Sequence, residues 1–154
     1  MEKILSKFIS IILLDQDYEN SQAIKTFLER RNSIRAFHVV RDGIEALDFI
    51  INESAIEQSS SNWVILLNLD LPYCRELLFE IKKNPELKTI PVVILTDLKK
   101  SEVENKIVLP SNYYILEKKD LIKCQEVVES IENFHYTTNT IREKLKNKTL
   151  SYML

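Results

Sequence analysis

Acids and amides cluster at the carboxyl ends of short apolar runs in this chain. Asp15, Gln16 and Asp17 follow the run Ile9–Leu14, and Asn68 and Asp70 follow Val64–Leu67. Thr96 and Asp97 follow Pro91–Leu95, and Glu117 follows Tyr113–Leu116. Acids brought together from several segment ends would suit a hard cation such as Mg²⁺, which takes oxygen ligands and an incoming phosphate. The alternative for any one position is that loops are wet and polar residues collect there. Other chemistries are poorly provided for. Gly43 is the single glycine, so no phosphate cradle can be built from glycines. Cys74 and Cys124 lack metal-ligand spacing and read as free thiols of a reducing cytosol. His38 and His135 stand alone and read as structural or solvated. No Ser/His/Asp or Cys/His constellation is apparent, and the chain is not expected to be an enzyme.

The residues just named need a scaffold that brings segment ends together. The chain has 154 residues, enough for one domain with a real core and too few for two. With 45% hydrophobic and 29% charged residues, it is not a disordered composition. Short apolar runs alternate with stretches of helical period: Tyr18–Arg31, Gly43–Ile51, Arg75–Lys83, Lys99–Val108 and Leu121–Phe134. Strands are expected at Ile9–Leu14, Ala36–Val40, Val64–Leu67, Pro91–Leu95 and Tyr113–Leu116, and Glu53–Asn62 reads as a Ser-rich loop. This alternation implies an α/β fold with a doubly wound five-stranded parallel sheet, strand order 2-1-3-4-5, and helices on both faces. A site on such a sheet lies beyond the carboxyl ends of the strands, where strand order reverses.

Net charge is −2 and uneven. Residues 135–154 carry Arg142, Lys144, Lys146 and Lys148 against Glu143, leaving the body acidic. The expected division is therefore a domain over 1–134 and a basic tail or short helix over 135–154. Thr140-Ile-Arg-Glu143 has the form of a capping box, which predicts a helix from about Thr140 to Lys148; a flexible tail is the alternative. Four basic residues beside an acidic body make a weak nucleic-acid footprint. No apolar run reaches the roughly 18 residues that span a bilayer, and no signal-peptide pattern opens the chain, so a cytoplasmic location without membrane attachment is expected.

Four segments carry a family resemblance: Val39-Val-Arg-Asp-Gly-Ile-Glu-Ala-Leu47, Ile65-Leu-Leu-Asn-Leu-Asp-Leu-Pro72, Glu80 through Thr96, and Glu126 through Phe134. Residues 9–134 resemble the receiver domain of response regulators, the CheY-like, flavodoxin-like fold. The nearest flavour is the stand-alone type associated with bacterial phytochromes. The resemblance implies two-component signalling or a phosphorelay. It also implies a Mg²⁺ site made by two acids after the first strand and an acceptor aspartate after the third. A hydroxyl after the fourth strand and a lysine after the fifth would contact the phosphoryl group. Carried over by position, the first acid is Asp15, but the second is Gln16 and the acceptor is Asn68. Thr96 matches the hydroxyl, whereas the lysine position falls on Glu117 and Lys118 takes the place of the usual proline. Between Pro72 and Arg75 the chain is about two residues short, and the glycine usual there is missing.

An amide has no anionic oxygen with which to attack phosphorus. Loss of two formal charges should weaken Mg²⁺ by several kcal/mol, on the order of 10³-fold, and Glu117 would repel phosphate. Glu117 is expected to pair with Lys118 or Lys119, or to hydrogen-bond Asn68. The resemblance places Thr96 and Tyr114 at the family's threonine–aromatic switch. Residues 99–134 fall on its dimerisation and output face, where Tyr113, Tyr114, Ile107, Val108 and Leu109 supply apolar surface or ordinary core. The leading expectation is an atypical pseudo-receiver: a phosphorylation-independent protein-interaction module without cofactor, partnered by a histidine kinase or signalling protein, or by a second copy through 99–134. One alternative is a phosphorylatable receiver that uses Asp70 with Mg²⁺ held by Asp15 and Asp70. Another is small-ligand sensing in the altered strand-end pocket of Asp15, Gln16, Asn68, Asp70, Thr96 and Glu117.

Overall fold

The computed structural model describes residues 9–30, 34–52 and 63–153. Its elements run β1 (Ile9–Leu14), α1 (Tyr18–Glu29), β2 (Ile34–Val40), α2 (Gly43–Asn52), β3 (Trp63–Asn68), α3 (Cys74–Lys83), β4 (Val92–Thr96), α4 (Lys100–Lys106), β5 (Tyr113–Glu117) and α5 (Leu121–Met153). The strands form one sheet in the order β2-β1-β3-β4-β5, every neighbouring pair parallel. This is the order expected from the alternation of runs and amphipathic stretches, with boundaries shifted by a residue or two. The expected loop Glu53–Asn62 lies outside the described residues.

Sequence pattern explains the layering. β1, β3 and β4 lie inside the sheet and are apolar almost throughout, because helices cover both of their faces. Alternate side chains divide them between two cores. Ile12, Leu14, Ile65, Leu67 and Ile94 pack under α2, α3 and α4 with Ala46, Ile50, Leu77, Leu78, Ile81 and Val103. Ile11, Leu13, Val64, Leu66, Val93 and Leu95 pack under α1 and α5 with Ile24, Leu28, Cys124, Val128 and Ile131. Edge strand β2 is largely half-exposed. Gln125 ties the second layer together, its Nε2 donating to Phe27 O near the end of α1 at 3.0 Å.

The carboxyl terminus departs from expectation. No helix begins at Thr140; α5 runs unbroken from Leu121 to Met153. The reason lies upstream. Residues 135–139 contain no proline or glycine to stop the helix begun at Leu121. The backbone N–H groups that a capping box at Thr140 would satisfy are therefore already inside a helix.

Candidate functional site

The first strand end is organised around Asp15, which is 6% exposed. Its Oδ1 accepts from Asp17 N at 3.1 Å, and its Oδ2 accepts from Asn20 Nδ2 at 2.7 Å and Ser21 Oγ at 3.3 Å. Asp17 in turn caps α1, accepting from Asn20 N at 3.1 Å. Asp15 is thus knitted into the helix start, as burial of a carboxylate requires. Its neighbour Gln16 turns away, and Nε2 donates to Arg41 O at 3.2 Å on the β2–α2 connection.

At the third strand end, Asn68 Oδ1 accepts from Asp70 N at 3.1 Å, a local Asx turn. The Asn68 carbonyl accepts from Leu71 N at 3.2 Å and from Cys74 Sγ at 3.3 Å. In the connection to α3, Tyr73 takes the left-handed region at φ 63°, where glycine is the usual occupant. Its carbonyl presses on α2, so a Cβ added to Gly43 would sit 1.9 Å from Tyr73 O. The one glycine of the chain is where this turn needs it. Burial, and then the charge of Asp42, push the Cys74 thiol up to about 12. Burial likewise pushes Cys124 up to about 12, so both are inert thiols at neutral pH.

At the fourth and fifth ends, Thr96 is buried and its Oγ1 accepts from Leu98 N at 3.1 Å. Glu117 lies opposite it in register but is exposed. The expected pairing of Glu117 with Lys118 or Lys119, or with Asn68, does not form among the described residues. Asn68 Oδ1 is taken by the Asp70 amide, and Lys118 Nζ instead meets Asp70 Oδ2. Pleat alternation binds residues only within a strand. β5 ends at Glu117, so Lys118, one residue further, is free to swing across the strand ends.

A cleft of about 390 Å³ opens between these groups. Asp15, Asn20, Asn68, Lys118 and Lys119 line its polar side; Leu13, Ile24, Leu95 and Leu121 form its floor. Of the residues singled out from sequence, Asp15 and Asn68 meet there. Gln16, Asp70, Thr96 and Glu117 do not line it. Asn20, Lys118 and Lys119 were not foreseen as site residues. Asn20 was legible in principle, standing three residues after a capping aspartate. Among the described residues no group of three or more His, Cys, Asp or Glu is placed to hold a metal ion.

The 99–134 surface is less apolar than its composition suggests. Ile107 is buried, Leu109 packs on the first core and Tyr114 on the second, so these side chains serve the interior. Val108 and Ile122 remain exposed. Tyr113 is directed to α4, its hydroxyl donating to Glu104 Oε2 at 3.2 Å.

No protein-family model matches the chain. The response regulator Rcp1 of Synechocystis is 33% identical over 137 residues, covering 85% of this chain and 91% of Rcp1. Among solved structures, the phosphorylated cyanobacterial phytochrome response regulator RcpA is similar at 30% identity, with a TM-score of 0.62 and coverage of 85% of this chain and 96% of that one. The Mn²⁺-bound form of Rcp1 matches at 31% identity and a TM-score of 0.55, over 82% of this chain and 93% of the other.

Proposed function

This chain belongs to the response-regulator receiver family of two-component signalling, and from that premise we propose that it is a pseudo-receiver, a phosphorylation-independent protein-interaction module. The observation that carries the reading is Asn68 at the acceptor position, its Oδ1 committed to the Asp70 amide. Phosphoryl transfer to a receiver needs a carboxylate oxygen to attack phosphorus, and an amide supplies none.

The surroundings support the same reading. A Mg²⁺ ion asks for several free oxygen ligands in near-octahedral array. Asp15 has both oxygens engaged inside the fold, Gln16 faces Arg41, and Asp70 is paired with Lys118. These residues do not fit the ion. The phosphorylated state of RcpA and the Mn²⁺-bound state of Rcp1 are accordingly not expected of this chain. Signalling would pass through a protein partner, a histidine kinase or another signalling protein in the cytoplasm, or through a homodimer using the exposed Val108 and Ile122 of the 99–134 face. Thr96 and Tyr114 would be held in one switch arrangement, Thr96 by its bond from Leu98 N.

A second reading has one observation in its favour. Asp70 and Lys118 form a carboxylate–ammonium contact at the strand ends, which sets an acid beside a lysine that could meet a phosphoryl group. On this reading Asp70 is the acceptor. The test is intact mass after incubation with Mg²⁺ and acetyl phosphate, beside Asp70→Ala and a labelling receiver as positive control. No phosphoryl adduct is expected; an adduct that Asp70→Ala abolishes would replace the first reading by the second.

A further inference from the structure

We propose that the second half of α5, from Phe134 to Met153, binds the surface of an anionic lipid bilayer. The inference stands apart from the strand-end cleft and from any phosphoryl chemistry there. Its starting point is one continuous helix whose two halves are placed differently. The first half buries Cys124, Val128 and Ile131 in the core under the sheet. Beyond them the apolar residues face water: Phe134 is 67% exposed, Ile141 52% and Leu145 60%. At 100° per residue these three and Tyr152 fall within an arc of about 40°. Cations edge that arc on both sides. Relative to Phe134, Lys148 and Lys144 stand at about −40° and −80°, and Arg142 and Lys146 at about 80° and 120°. Glu143, the acid among them, stands at about 180°, on the opposite side of the helix.

An exposed apolar stripe edged by Lys and Arg suits a helix that lies in the headgroup layer, with its long cationic side chains reaching the phosphates. Four cations within residues 142–148 form the kind of cluster that anionic headgroups attract. The rest of the chain is acidic, so the attraction is confined to this stretch. Protein occupants fit less well. A second copy would pair through a heptad seam, and the seam through Ile141 and Leu145 takes Thr138 and Lys148 as its neighbouring positions. That pairing would bury Lys148 and set two clusters of like charge side by side. A groove on another protein asks for apolar anchors at i, i+3, i+4 and i+7, and the same two residues interrupt them. A fluid headgroup layer adapts to an interrupted stripe. The expectation of no membrane attachment concerned spanning segments. Among the described residues no helix is long and apolar enough to cross a membrane, and a surface contact requires none.

The experiment is co-flotation of the full-length protein with phosphatidylcholine vesicles and with vesicles in which about one-third of the lipid is phosphatidylglycerol. The protein should float with the anionic vesicles at low salt, stay behind with the neutral ones, and be released as salt is raised. Lys144→Gln/Lys148→Gln should weaken binding about 25-fold, at roughly fivefold for each cation. Ile141→Ser/Leu145→Ser should weaken it at least about tenfold. Ile122→Ser, at an exposed apolar position on the first half of α5, should leave it unchanged. Far-ultraviolet circular dichroism checks that each variant keeps its helix. If the serine variant loses helix, the glutamine variant decides, since Gln and Lys have similar helix propensity. The proposal is overturned if anionic vesicles carry no protein up, if neutral vesicles carry as much, or if the glutamine variant floats as well as the parent. A parent that sediments as a dimer and does not float, with Ile141→Ser/Leu145→Ser monomeric, would overturn it in favour of a second copy.

Discussion

Replacing Gly43 with alanine tests whether the close approach of the β3–α3 connection dictates the only glycine in the chain. The new Cβ would lie 1.9 Å from Tyr73 O and 2.4 Å from Tyr73 C, both backbone atoms. Reaching ordinary contact at about 3.4 Å demands a relative shift of roughly 1.5 Å between α2 and the loop. The loop resists, because Leu71 N is bonded to Asn68 O and Leu77 N to Tyr73 O. Gly43 N also donates to Pro72 O at 2.9 Å, and that bond would be stretched or lost. Overpacking costs about 1–3 kcal/mol and a lost hydrogen bond about 1 kcal/mol. Alanine returns at most about 1 kcal/mol of helix propensity. The net expectation is a loss of about 2–3 kcal/mol, or roughly 5–10 °C in Tm for a chain of this size. Urea unfolding followed by Trp63 fluorescence and far-ultraviolet circular dichroism measures it. Gly43→Ala/Tyr73→Gly should recover about 1 kcal/mol, since glycine at 73 relaxes the left-handed residue. A Gly43→Ala protein within about 0.5 kcal/mol of the parent would refute the steric argument.

Other consequences are equally open to measurement. Asp15→Asn puts an NH₂ where Oδ1 or Oδ2 now accepts hydrogens, and should cost about 1–3 kcal/mol in urea unfolding; a neutral result would mean that those bonds contribute nothing net. Gln16→Asp/Asn68→Asp adds two carboxylates at the strand ends and should tighten Mg²⁺ at least about a hundredfold by calorimetry, and unchanged affinity would show that charge at these positions does not set it. The two cysteines give a pH prediction. Their folded values of about 12 lie above the ordinary thiol value of 9.0. The unfolded chain therefore loses these protons first, so the thiol contribution to stability is intact below pH 9 and declines as pH rises towards 12. A thiol reagent at pH 8 should label neither until urea unfolds the chain, and rapid native labelling would contradict the burial of Cys74 and Cys124.

The fold was legible because parallel strands covered on both faces write themselves as uninterrupted apolar runs, and Val64–Leu67 between Ile9–Leu14 and Pro91–Leu95 is such a pattern. The amides Gln16 and Asn68 at the strand ends were equally readable as uncharged, since residue type alone decides whether a charge is present. Side-chain direction past the end of a strand was not readable. Alternation places Glu117 and Thr96 in register, but the first residue beyond β5 obeys no pleat, and Lys118 reached the cleft that Glu117 was assigned to. For Asn20 the cap was legible from Asp17 three residues before it, but not the bond from its side chain to Asp15, which depends on the tertiary burial of Asp15. The Thr140 capping box misled because such a signature marks a start only where the preceding chain is not already helical.

The length of α5 has a mechanical consequence. Its first turns are clamped by Cys124, Val128 and Ile131 in the core under the sheet. Its 33 residues make a rod of about 50 Å at 1.5 Å per residue. A tilt of about 5° at the clamped end sweeps the far end through about 4 Å over a rod of this length. Gln125, bonded to Phe27 O, sits near the fulcrum, so a small repacking of α1 against α5 would be magnified into a displacement several times larger at the far end.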